Sequence, residues 1–219
     1  MPDASGTAKR NLLWLQSGGC GGCTLSLLCA EGPDLVTALE TANINVLWHP
    51  SLSEASGREM IDILERIKRN EIALDILCLE GSVVQGPNNT GRFHMLAGTN
   101  RPMRDWIAEL APLAQCVVAV GSCAAYGGVT AGGSNPSESC GLAYSGRESG
   151  GLLGGGFRAR NGLPVVNIAG CPTHPNWVIE TLMQISLGLF TEESMDKAGR
   201  PRSYADHLVH HGCPRNEFY

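Results

Sequence analysis

Five short runs of nearly unbroken apolar residues recur along the chain: Asn11–Gln16 (NLLWLQ), Ile44–His49 (INVLWH), Leu74–Glu80 (LDILCLE), Cys116–Gly121 (CVVAVG) and Pro164–Ala169 (PVVNIA). They lack the in–out alternation of a half-solvated strand, and such continuous runs are the pattern of parallel strands covered on both faces. Between them the period changes. Arg58–Lys68 sets Met60, Ile63, Leu64 and Ile67 on one helical face, and Pro102–Leu110 does the same with Met103, Trp106, Ile107 and Leu110. After the fifth run Val178, Leu182, Ile185 and Leu189 continue a helical stripe behind Pro175, a residue suited to a first helical turn. Strands alternating with helices predict an α/β fold, a doubly wound open sheet of βαβ units. This unit is expected to span 1–190. From about Thr191 the pattern dissolves into a polar, irregular tail over 191–219, the start of an incomplete second unit.

Two connections, Gln85–Arg101 and Tyr126–Leu163, exceed what such a sheet needs, and connections of that length are usually functional or interfacial. Composition points the same way. Charged residues make up 17%, below the ~25% of a typical domain, and glycine reaches 28 of 219 residues, well above its usual ~7% share. A large surface is therefore expected to face another protein. The net charge of −5, with no basic block, argues against nucleic acid. No run approaches the ~20 apolar residues of a membrane span. The polar start MPDASGTAKR carries no export signal, so the cytoplasm is the expected compartment. In a reducing compartment nine cysteines suggest metal or redox chemistry before a disulfide framework.

The positions of the cysteines are more informative than their number. Cys20 and Cys23 (GGCGGC) follow the first predicted strand, Cys123 (GSC) the fourth and Cys171 (GCPTHP) the fifth, while Glu80 (LEGS) closes the third. In an open α/β sheet ligands bind outside the carboxyl ends of the strands. Four thiols delivered to that edge suit Zn²⁺ or an iron–sulfur cluster. Structural zinc usually pairs two closely spaced CxxC units, and only one is present. A thioredoxin-type pair would leave Cys123 and Cys171 unused, and SGGCGGC is a poor flavin phosphate loop. Cys78 and Cys116 sit inside apolar runs and read as core. Cys29 and Cys140 receive no role. His49 reads as structural, and His94 has no obvious partner in the sequence.

At these residues the chain resembles the small subunit of a nickel–iron hydrogenase. The matching segments are WLQSGGCGGC (Trp14–Cys23), LCLEGSV (Leu77–Val83), VAVGSCAAYGG (Val118–Gly128), NIAGCPTHP (Asn167–Pro175) and HHGCPR (His210–Arg215), in order along nearly the whole chain. The cluster-bearing small subunit of respiratory complex I is a relative with adjacent cysteines where Cys20 and Cys23 stand apart. The resemblance implies a flavodoxin-like fold and a proximal 4Fe-4S cluster on Cys20, Cys23, Cys123 and Cys171. It further implies a large-subunit partner that carries the nickel–iron centre and splits H₂, with no catalytic residue on this chain. Two readings of Glu80 stand side by side: a polar role beside the cluster or interface, and a solvent-facing carboxylate at a strand end. Oxygen-tolerant members add two cysteines where this chain has Gly22 and Gly128, so an ordinary four-thiolate cubane is expected. His210 and Cys213 match the first two ligands of a distal cluster, but no cysteine follows Cys213, and the chain reads as truncated at its C-terminus. The missing export signal suggests a cytoplasmic hydrogen-sensing hydrogenase that reports to a signalling kinase. The alternatives are a cytoplasmic uptake enzyme with its own electron acceptor and a non-hydrogenase iron–sulfur or zinc scaffold.

Overall fold

The computed structural model describes residues 9–207; His210 and Cys213 lie outside them. Each of the five apolar runs contains a strand: β1 (Arg10–Gln16), β2 (Ile44–Trp48), β3 (Ile76–Glu80), β4 (Cys116–Val120) and β5 (Val166–Ile168). They form one parallel sheet in the order β5-β4-β3-β1-β2, the flavodoxin-like arrangement. Four of the strands are shorter than their apolar runs, while β1 starts one residue earlier, at Arg10. β5 begins beyond Pro164, which has no N–H to give to a ladder. In the registers of the central strands Gln16 stands beside Glu80, Glu80 beside Val120, and Val120 beside Ile168. The ends of four strands are thereby level along one edge.

Helices α1 (Gly22–Leu28), α2 (Leu35–Thr41), α3 (Arg58–Lys68), α4 (Met103–Leu110), α5 (Gly121–Tyr126), α6 (Pro175–Ser186) and α7 (Arg202–Ala205) make up the rest of the framework. Every residue of β3 and β4 is buried, and alternate side chains divide between two cores. Leu13, Leu15, Leu77, Leu79, Val117 and Ala119 pack with Met60 and Leu64 of α3 and with Trp106, Ile107 and Leu110 of α4. Leu12, Trp14, Cys78, Val118 and Ile168 pack with Leu27 of α1, Leu35 of α2 and Val178 and Leu182 of α6. Full burial of such aliphatic side chains contributes roughly 1.5–3 kcal/mol each, which is why β3 carries no charge before Glu80 and β4 none at all.

Three features differ from the sequence reading. The stripe extended through Leu189, but α6 ends at Ser186 and Leu189 is exposed. The Gly188 N–H donates to Ile185 O (3.1 Å) and the Leu189 N–H to Gln184 O (2.8 Å) around a left-handed Gly188, the bonds of a Schellman cap. Helix α2 was not anticipated. It buries only Leu35 and Ala38 and is started by Asp34, whose carboxylate accepts the Thr37 N–H at 3.0 Å. The Tyr126–Leu163 connection is more than a surface loop. Cys140, Leu142 and Ala159 are buried in the core of the α3–α4 face, with Leu152, Leu153 and Phe157 against them. Ser139–Cys140 also pairs antiparallel with Val83–Val84, just past β3.

Beyond α6 the chain returns along β5. The Asn167 N–H donates to Gly199 O (2.7 Å), and Tyr204 stacks on Trp177 with ring centroids 4.1 Å apart. No helix among the described residues is long and apolar enough to cross a membrane.

Candidate metal centre

The four expected thiols meet at the carboxyl edge of the sheet. Cys20 and Cys23 lie in the turn and first helical turn after β1, Cys123 in α5 directly after β4, and Cys171 in the loop after β5. Together with Glu80, Gly121, Gly170 and Pro172 they line one cavity of about 80 Å³. Hydrogen bonds between the loops hold them together. Gly18 and Ser82 exchange backbone N–H···O bonds of 2.9 and 2.8 Å, joining the turn after β1 to that after β3. The Ser122 N–H donates to Gly170 O (2.8 Å), joining the turns after β4 and β5. Ser26 Oγ on α1 donates to Thr173 O (2.7 Å), closing the ring.

Glycine is demanded where backbone passes close to sulfur. Gly128 has φ +58°, and a Cβ there would lie 2.5 Å from Cys123 Sγ; a Cβ on Gly121, at φ +93°, would lie 2.6 Å from Cys23 Sγ. The thiols also sense one another. Burial raises the Cys123 pKa, the Val129 N–H opposes this, and the charges of Cys171 and Cys20 push it up further. Burial likewise raises the Cys23 thiol, against the backbone N–H of Thr173. The Gly22 N–H donates to Cys20 Sγ at 3.4 Å.

This donor set fits an iron–sulfur cluster. Among the described residues no three His, Cys, Asp or Glu side chains close around a single ion, as a tetrahedral zinc with thiolates about 2.3 Å away requires. A cluster takes its thiolates on separate iron atoms, and so suits a wider rim with backbone N–H groups turned to the sulfurs.

Glu80 decides between its two readings. It is 2% exposed, which removes the solvent-facing one. Oε1 accepts the N–H groups of Cys23 (3.0 Å) and Thr24 (3.1 Å), and Oε2 accepts the Thr24 hydroxyl and Trp14 Nε1–H (3.3 Å). Four donors, three of them on the first turn of α1, thus fix the carboxylate. His49 extends the network. Its Nδ1 accepts the Ser51 N–H (3.1 Å), which leaves Nε2 to carry the proton toward Thr24 Oγ1 at 3.5 Å, and its ring lies against Trp14 with centroids 5.1 Å apart. His94 has a partner that the sequence did not suggest, Ser17 Oγ at 3.1 Å from Nδ1. Thr24 and Thr173 were not singled out either; each adjoins a cysteine motif, and only the folded loops show what they face. Cys78 and Cys116 are buried core, Cys140 is buried and accepts Gln85 Nε2–H (3.0 Å), and Cys29 is exposed.

A family profile described as the NADH ubiquinone oxidoreductase 20 Kd subunit matches residues 20–185. The F420 non-reducing hydrogenase II small subunit of Methanosarcina mazei is 32% identical over 97% of this chain. The periplasmic NiFeSe hydrogenase small subunit of Desulfomicrobium baculatum is 30% identical, with 98% of this chain and 68% of that protein aligned. The chain belongs to the family of nickel–iron hydrogenase small subunits. The fold agrees: against the actinobacterial-type NiFe-hydrogenase of Ralstonia eutropha H16 the TM-score is 0.82 at 31% identity, covering 97% of this chain and 64% of that one. As a hydrogenase small-subunit relative the chain is short, spanning 59% of the length of the Methanosarcina protein.

Proposed function

We propose that this chain holds one 4Fe-4S cluster on Cys20, Cys23, Cys123 and Cys171 and transfers electrons from a nickel–iron large subunit that oxidises H₂. The observation that carries this reading is the convergence of four thiols from three strand ends on one cavity. When bound, the cluster supplies a one-electron acceptor. The chain's own residues supply the rest. Glu80 orients the turn that presents Cys23, and the Gly22 N–H faces the sulfur of Cys20. The docking face for the large subunit is the same sheet edge, where Val129 is 82% exposed only six residues past Cys123.

Anaerobically purified protein should contain iron and acid-labile sulfide in equal amounts, one cluster's worth per chain, and give a paramagnetic signal on reduction. Zinc without sulfide would overturn the reading. The finer form of the proposal places the heterodimer in the cytoplasm as an H₂ sensor, a compartment in which an exposed unpaired thiol such as Cys29 persists. A sensor predicts H₂-dependent change in a signalling kinase with slow dye reduction. Fast dye reduction without any effect on a kinase would assign the chain to uptake instead.

A further inference from the structure

Residues 11–57, which span most of β1 together with α1, α2 and β2, contain no Lys or Arg, and their acidic residues are Glu31, Asp34, Glu40 and Glu54. All four are exposed, and none is ion-paired among the described residues. On the other face of the sheet Lys68 neutralises Glu65 of α3 (3.5 Å) and Glu109 of α4 (3.0 Å) within the chain. The uncompensated stretch also exposes apolar surface. Leu25 on α1 and Val36 on α2 are each 64% exposed, and Leu28 and Leu52 are exposed as well. Leu28, Leu35, Val36, Leu39, Val46 and Leu52 line a groove of about 480 Å³. Asp34 lines it too, Glu40 stands one helical turn past Val36, and Glu54 follows Ser53 at its edge. An exposed apolar patch rimmed by polar groups marks an interaction site.

Charge selects the occupant. An acidic rim without cations of its own repels a second copy of the same face and an anionic lipid surface, and it attracts a cationic partner. An amphipathic helix fills an apolar groove with side chains at i, i+3 and i+4, and basic residues on its flanks then meet the rim. The groove contains none of the four cysteines. It also lies away from the face assigned to the large subunit, because β3 and β1 separate β2 from β4, past which Val129 is exposed. We infer that this groove takes the apolar face of a Lys- or Arg-bearing amphipathic helix, supplied by a partner protein other than the large subunit.

The test is fluorescence anisotropy with a labelled synthetic amphipathic helix, leucine on one face and lysine elsewhere, added to the full chain purified with its large subunit. A counterpart with glutamate in place of lysine is the control. The lysine helix should bind saturably, about tenfold or more tighter than the glutamate helix, and added salt should weaken it. Val36→Ser with Leu52→Ser removes two apolar anchors, and Glu31→Gln with Glu40→Gln removes charge from the rim. All four side chains are exposed, so the fold tolerates both changes, and each double variant should bind about tenfold more weakly. Absence of saturable binding overturns the inference, as does equal binding of the two helices or wild-type affinity in either double variant. Binding by the chain alone that the large subunit abolishes overturns it as well, since the large subunit is then the occupant. Self-association, or binding to phosphatidylcholine vesicles, that is lost in Val36→Ser with Leu52→Ser assigns the groove to a second copy or to a membrane and likewise overturns it. None of these results alters the iron and sulfide content by which the cluster is judged.

Discussion

Glu80 Oε1 lies 3.0 Å from the backbone nitrogen of Cys23 and accepts its N–H. One residue ends β3 and the other opens α1, so a single carboxylate joins two strand ends through the turn that carries two of the four thiols. The interaction places negative charge at a helix N-terminus, where it is favoured, and satisfies donors that would otherwise be orphaned.

Glu80→Gln should therefore destabilise the protein by about 2–3 kcal/mol. The amide has one acceptor oxygen for donors that now occupy two, and its NH₂ group must face one set of them. Urea denaturation of the metal-free protein measures the loss, and the iron content of anaerobic preparations should fall in parallel. Stability and iron content both at wild-type level would show that the carboxylate does not hold the turn.

The cysteines should sort into two groups by substitution. Cys123→Ser and Cys171→Ser each remove one thiolate from the cavity and should lower iron and sulfide content at little cost to the fold. Cys78→Ala empties a fully buried site between β3 and its helices, so it should cost about 1–2 kcal/mol of stability and leave cluster content unchanged. Iron analysis alongside thermal unfolding separates the two patterns.

Gly128→Ala should damage cluster loading more than its size suggests. The backbone there is left-handed, and the added Cβ would lie 2.5 Å from Cys123 Sγ, so sulfur or backbone must move. The strain costs about 1–3 kcal/mol, and iron content should drop toward that of Cys123→Ser. Full iron in this variant would mean that Cys123 does not need its present position.

Burial lowers the pKa of His49 to about 4, against the opposing charge of Glu80. An unfolded chain protonates the same ring near 6.5, so the unfolded state binds the extra proton between these values. The stability due to neutral His49 is thus complete above about pH 6.5 and is lost as pH falls toward 4. In urea titrations the stability gap between wild type and His49→Phe should be widest at pH 7 and narrow on acidification. A gap that does not vary with pH would contradict a buried neutral ring.

Much of this architecture is legible in the order of residues because its causes are local. Apolar runs such as Cys116–Val120 are covered on both faces, so their continuity announces parallel strands, and thiols placed just after such runs must emerge at one edge once the strands lie parallel. Helix α2 was hidden because seven residues with two buried positions give no periodic stripe. The end of α6 was misjudged because Leu187 and Leu189 are apolar but lie beyond a cap that polarity does not reveal.

Strand type, the shared edge and the meeting of four thiols beside it thus follow from the sequence alone, since each depends on spacing and on the hydrophobic character of short segments. The tertiary structure alone decided that Glu80 is buried rather than solvated, that His94 meets Ser17, and that residues 139–159 complete a core. Those facts depend on which distant loops come to lie against one another. Such contacts join groups separated by 50 residues or more, as Glu80 and Cys23 are, and no local periodicity encodes them.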